Sequence, residues 1–289
     1  MRLIWFVFIF LFKPIWSQAT PIQMLGIESL SEKEKTKFHL WLQHGLDAVQ
    51  HTLGPLPQAT LPVRLKTKWY ATEPVPWGQV ERGRYDAGDG LYLVVYRYAK
   101  PHQLKYDWTL YHEISHLYLP YLDSNSLWLS EGFATFMQNI VLLQNGIYDR
   151  ETFIEKLSAG LKRGKNNTQS ATGPLSKVTD AMRKNRAFMR VYWTGTAFFI
   201  EADLALHQQG KSLPAIIKAF STCCRAEVDT GKQLALTLDK ASRRLQKENS
   251  SLVFSPLYFQ YRDRVDFPNI AIESLYQLAE HYRPAVVLE

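Results

Sequence analysis

Apolar positions change their spacing along this chain, and each change marks a change of element. Phe38, Trp41, Leu42, Leu46, Val49 and Leu53 recur at three- and four-residue steps, the period of a helix with one buried face. Ser31-Glu32-Lys33-Glu34 ahead of them reads as a capping box, and Gly54-Pro55 behind them as a stop. Residues 61–69 alternate instead, with Val63, Leu65, Thr67 and Trp69 on one side, which predicts a half-buried strand. The Pro- and Gly-rich stretch 70–89 predicts a turn or short hairpin. Gly90-Leu91-Tyr92-Leu93-Val94-Val95-Tyr96 is the strongest strand signal in the chain, either a sheet edge on which an extended peptide could pair or an interior core strand.

From Gln103 the pattern turns helical. A helix is predicted over 103–119, stopped by Pro120, and a second over about 127–144, capped from the loop Asp123-Ser124-Asn125-Ser126. Others follow at about 150–163, 187–209, 213–221, 231–248 and 271–281, with a surface loop at 165–174. No repeat and no linker interrupts the chain. The expectation is an α+β fold in a single domain over 20–289, with a small β-containing N-terminal lobe (about 20–120) and a mainly helical C-terminal lobe (about 121–289).

The first residues form a separate unit. Leu3 to Phe12 is an unbroken apolar run after Arg2, closed by Lys13-Pro14, and is short for a bilayer span. Ser17-Gln18-Ala19 has the small-x-small form of a signal-peptidase site, so residues 1–19 are read as a signal peptide cleaved after Ala19. The product would be secreted or periplasmic, without stable membrane insertion; the alternative is an anchor through an uncleaved N-terminal segment. Cys223 and Cys224 are adjacent, which makes no disulfide framework, and at least one is expected to be buried and inert. A net charge of +7 could favour acidic polymers, but the basic residues are scattered, so no nucleic-acid partner is expected.

Candidate chemistry lies in the 103–119 helix. His112-Glu113-Ile114-Ser115-His116 places two imidazoles four residues apart on one helix face, able to grip one metal ion, with Glu113 one step round. Glu131, in Trp128-Leu129-Ser130-Glu131-Gly132, offers a third ligand. Three protein ligands and one open position make a catalytic zinc site rather than a structural one. One Zn²⁺ ion held by His112, His116 and Glu131 is therefore expected, with Glu113 as general base. Thr135, one turn beyond Glu131, is either a partner to a ligand or a packing residue. His39, His44, His51 and His102 are read as helix-face or surface histidines.

These residues resemble the gluzincin metallopeptidases, whose third ligand is a helix-borne glutamate. The motif Trp-Leu-Ser-Glu-Gly-Phe-Ala around Glu131 looks very like the aminopeptidase N element, although the fourteen residues between His116 and Glu131 are fewer than in that family. From about residue 90 to 265 the chain resembles the catalytic domain of the glycyl-aminopeptidase family and related peptidase MA-like proteins. Tyr192-Trp193-Thr194-Gly195 is similar to their Tyr-x-Lys-Gly helix start, with Thr194 in place of the lysine. The resemblance implies a peptide or protein substrate and a role for Tyr192 as hydrogen-bond donor to the oxyanion. No Gly-x-Met-Glu-Asn segment, the element that grips an α-amine in aminopeptidase N relatives, precedes the zinc helix. The function expected is a zinc peptidase. The alternatives are a zinc hydrolase of a cell-envelope amide, or a catalytically lapsed zinc scaffold used for binding.

Overall fold

A computed structural model of the chain describes residues 20–86, 88–245 and 251–284. The expected signal peptide lies outside the described residues. The capping box at Ser31 forms: its hydroxyl accepts from the Glu34 N–H (3.4 Å) and its own N–H donates to the Glu34 carboxylate (2.9 Å). Helix α1 (Glu32–Leu53) follows and buries the six apolar positions of the sequence pattern. Gly54 ends it with φ 85°, a left-handed conformation that glycine adopts without steric cost. Glu34 also takes the Arg97 guanidinium (2.6 and 2.9 Å). That hydrogen bond, with those from Ser31, holds the Glu34 carboxyl at about 2.

The sheet has four strands, β1 (Ile22–Leu25), β2 (Leu61–Lys68), β3 (Trp77–Tyr85) and β4 (Gly88–Tyr96), in the order β1-β2-β4-β3. β1, β2 and β4 run parallel, and β3 returns antiparallel to β4 as a hairpin, as expected for 70–89. β1 was not legible in the sequence. β4 settles as an interior strand, with Leu91, Leu93 and Val95 fully buried, so the sheet's edges are β1 and β3, and β3 is the edge beside α3.

The helix expected over 103–119 is two helices, α2 (Pro101–Tyr106) and α3 (Thr109–His116). Asp107 is extended between them, and its carboxylate accepts from the Thr109 N–H (2.9 Å), an Asx-type turn just ahead of α3. An extended residue with its own side-chain turn breaks the helix where periodicity alone runs through.

α4 (Leu127–Gln144) matches its expected span and carries the centre of the core. Trp128 on α4 packs edge-on to Phe198 and stacks on Tyr258 and Tyr261. α5 (Arg150–Thr168) continues into the segment expected to be loop, and α6 (Leu175–Asp180) was not anticipated. α7 (Phe188–His207) crosses α4 at closest range: a Cβ on Gly195 would stand 1.9 Å from the Trp128 carbonyl oxygen, and one on Gly132 2.2 Å from the Gly195 carbonyl carbon. Only glycine fits at either position.

Helices α8 (Leu213–Cys223), α9 (Gly231–Leu245), α10 (Phe254–Arg262) and α11 (Ile272–Tyr282) complete the helical lobe; α10 was missed in the sequence. Buried carboxylates anchor them. Asp203 on α7 accepts from the Leu213 N–H (2.7 Å) and the Tyr282 hydroxyl (2.6 Å). Asp239 on α9 accepts three N–H groups of residues 253–255 at the start of α10, each at 2.9 Å. Cys223 and Cys224 form a disulfide with each other, and neither is buried, contrary to the expectation of an inert buried thiol. Among the described residues no helix is long and apolar enough to cross a membrane.

Two predictions follow from this packing. Gly195→Ala should cost about 3 kcal/mol by overpacking against α4, read by guanidinium unfolding; an unchanged midpoint would contradict the contact. Glu34→Gln should lower the melting temperature at neutral pH. Because folding depresses the Glu34 pKa from 4.5 to about 2, its contribution is present above 4.5 and is lost as pH falls through 2. The gap to the unmodified chain should close over that window.

Candidate metal centre

α3 and α4 pack so that three donor atoms converge. His112 and His116 lie one turn apart on α3, both nearly buried, with their Nε2 atoms 3.2 Å apart. Oε2 of Glu131, in the first turns of α4, stands 3.4 Å from the first and 3.6 Å from the second. Three ligands each about 2.0–2.1 Å from a tetrahedral zinc ion would be separated by about 3.3 Å, so the triangle has the right size. Oε2 of Glu131 is buried and without a hydrogen-bond partner, an orphaned charge of the kind a cation satisfies.

The remaining ring nitrogens are held from outside the triangle. Nδ1 of His112 lies 2.9 Å from the Gln138 side-chain oxygen, and Nδ1 of His116 lies 3.1 Å from the Ser130 hydroxyl. The carbonyl oxygen of Gln138 can only accept, so His112 carries its proton on Nδ1 and presents the Nε2 lone pair to the triangle. Neither Gln138 nor Ser130 stood out in the sequence. Gln138 follows Glu131 by two helical turns, and that spacing is the signal that could have found it. Thr135 is buried and makes no side-chain bond to a ligand.

Charge in this cluster is strongly coupled. Burial opposes ionisation of Glu131, yet the two imidazoles hold its carboxyl well below the usual carboxylate range. Burial pushes Glu113 up, against the pull of both histidines. Glu113 is covered by β3: a Cβ on Gly78 would stand 2.7 Å from its Cγ and 2.9 Å from its Oε1. A glycine there lets the sheet edge pass directly over the carboxylate. Further along β3, Arg82 donates to the His116 carbonyl oxygen (2.8 Å) and pairs with Asp89 (2.7 Å), which tethers the C-terminal end of α3 to the sheet. Tyr192, on the first turn of α7, stacks on His112 with ring centroids 6.2 Å apart and planes 16° apart. Burial, then the charge of Glu131, raises its phenol well above the ordinary value. Thr194 is fully buried and lies in the packing of α7. The structure thus gathers His112, Glu113, His116, Glu131 and Tyr192 at one place.

Residues 110–197, which carry this cluster, match the family model of the M61 glycyl aminopeptidases. Among solved structures, the chain is similar to an aminopeptidase N family protein from Idiomarina loihiensis, at 11% identity over 84% of this chain and 44% of that one, with a TM-score of 0.55. It is also similar to an M1 zinc metallopeptidase variant from Deinococcus radiodurans bound to a Tyr-Ser-Ala substrate, at 12% identity over 81% of this chain and 50% of that one, with a TM-score of 0.47. The chain spans about half the length of the solved structures it matches. No curated protein sequence matches it.

The centre predicts its own metal content. The purified chain should carry one zinc ion by elemental analysis, and His116→Ala or Glu131→Ala should lose it. Gln138→Ala should weaken zinc affinity about 10- to 100-fold, measured by competition with a chelating dye. Full zinc affinity in Gln138→Ala would contradict the role given to its carbonyl. The chain has a gluzincin-like metallopeptidase fold, and its His-Glu-x-x-His motif joins Glu131 in a three-ligand cluster, His112, His116 and Glu131, of a size that fits a single zinc ion.

Proposed function

We propose that this chain is a zinc-dependent peptidase. The observation that carries the reading is the buried Glu113 carboxylate beside three converged ligand atoms, a base that a purely structural metal site has no use for. Zinc held by His112, His116 and Glu131 would supply Lewis acidity, acidifying a water and polarising the scissile carbonyl. Glu113 accepts the proton of the attacking water and returns it to the leaving nitrogen. Its raised pKa suits a group that must both take and give a proton. Tyr192, kept protonated by its surroundings, donates to the oxygen on which negative charge develops. An extended substrate pairs its backbone with the open edge of β3, where Gly78 permits close approach to Glu113.

The working unit begins after a leader. The small-x-small site Ser17-Gln18-Ala19 supports a boundary after Ala19, with a single domain from there onward. Such a chain would act outside the cytoplasm, secreted or periplasmic.

The test is a cleavage profile of the chain from Thr20 on a mixed peptide library, read by mass spectrometry. Cuts should appear, stop on chelation and return with zinc. Glu113→Gln should lower turnover by about 10²–10⁴ with zinc retained. Tyr192→Phe should lower kcat by about 10²–10³ with little change in KM. Cleavage that survives in Glu113→Gln would refute the mechanism.

A further inference from the structure

A cavity of about 300 Å³ adjoins the metal triad. It shares Gln138 and Tyr192 with the site, and Trp108, Tyr148 and Trp193 supply aromatic wall. Trp108 stands edge-on to the His112 ring, with centroids 5.5 Å apart, so the cavity begins where the ligands end. Its volume lies at the small end of ligand pockets, room for one side chain rather than a long segment.

The charge of this cavity is one-sided. Lys156 and Arg163 also line it, and no lining residue is acidic. They sit seven residues apart on α5, two turns along one face. Between and beside them, Gly160 and Gly164 let α5 close onto Trp193: a Cβ on either would stand within 2.5 Å of that side chain. The guanidinium of Arg163 lies over the Trp193 ring, 5.4 Å from its centroid. Neither Lys156 nor Arg163 has an ion-pair partner among the described residues, although other cations of the chain are paired with carboxylates. Gln138 contributes a donor: its carbonyl is committed to His112, and its amide N–H₂ has no acceptor among the described residues. The Lys156 and Arg163 side chains are both solvent-exposed, so they stand at the rim of the cavity, where an incoming negative charge meets them first.

We propose that this cavity is a specificity pocket for a carboxylate of the substrate, with Arg163 and Lys156 as its binding cations. The carboxylate is an Asp or Glu side chain beside the scissile bond, or the free C-terminus of a short peptide. The assignment rests on the peptidase reading above and names the substrate class that reading leaves open. Arg163 offers a planar fork that matches a carboxylate, its stem already ordered against Trp193. Lys156 adds a flexible point charge.

The experiment uses matched peptides with Glu or Gln at either residue flanking the cut, each made as the free acid and as the C-terminal amide. A side-chain pocket should favour Glu over Gln about tenfold in kcat/KM, the size of one charge-assisted hydrogen bond. A C-terminal pocket should favour free acid over amide by a similar factor. Either preference should shrink at high salt and vanish in Lys156→Gln/Arg163→Gln with zinc content unchanged. No preference, or one that persists in the double variant, would overturn the pocket. If no peptide is cut, calorimetry of the same peptides on zinc-loaded Glu113→Gln separates the two claims. A tenfold difference in Kd that the double variant erases would uphold the pocket while the peptidase reading falls. Equal or absent binding would overturn the pocket itself.

Discussion

Helices α4 and α7 meet backbone to backbone at Gly132 and Gly195, and that contact sets where the reactive groups stand. Gly132 directly follows Glu131, and Gly195 lies one turn beyond Tyr192. Pressing the helices together at these points brings Tyr192 against His112 and keeps the Glu131 carboxylate within reach of both imidazoles. A larger residue at either glycine would separate the helices by more than a metal site tolerates, since ligand distances are held within a few tenths of an ångström.

Buried charge follows the same logic throughout the helical lobe. Asp203, Asp239 and Arg190 lie within the core, and each is consumed by backbone groups or a hydroxyl that would otherwise be unpaired. Glu131 is the contrast, a buried carboxylate oxygen with nothing to accept from. Burying a charge is costly unless it is paired, and the open Glu131 oxygen stands where a cation fits.

The metal ligands were legible because their chemistry is local: two histidines four apart on one helix, and a glutamate at the next helix start. α1 was legible because periodicity and capping agree there; α4 was legible from its long apolar run alone, since the expected cap does not form and the Ser126 hydroxyl accepts from the Gly231 N–H instead. The break at Asp107 was not, since a local side-chain turn inside an apolar periodic stretch leaves the period intact. β1, α6 and α10 are short and take their stability from tertiary partners, such as the Asp239 carboxylate for α10, that no local pattern records. The supporting shell was hidden for a related reason. Gln138, Ser130, Arg82 and Gly78 are ordinary residues until folding brings them to the ligands. Gly78 in particular lay in a stretch read only as a turn or hairpin, and its position over Glu113 depends on the pairing of β3 with β4. The disulfide between Cys223 and Cys224 ran against the expectation from general strain.

The central claim is that two helices hold a zinc ion between His112, His116 and Glu131 with Glu113 free beside it. Anomalous diffraction from crystals of the zinc-loaded chain, collected on both sides of the zinc absorption edge, tests it most directly. The account predicts one strong peak about 2.0–2.2 Å from Nε2 of both histidines and from a Glu131 oxygen, with Glu113 outside bonding distance. A peak at another site, or one that includes Glu113 as a ligand in place of Glu131, would contradict it.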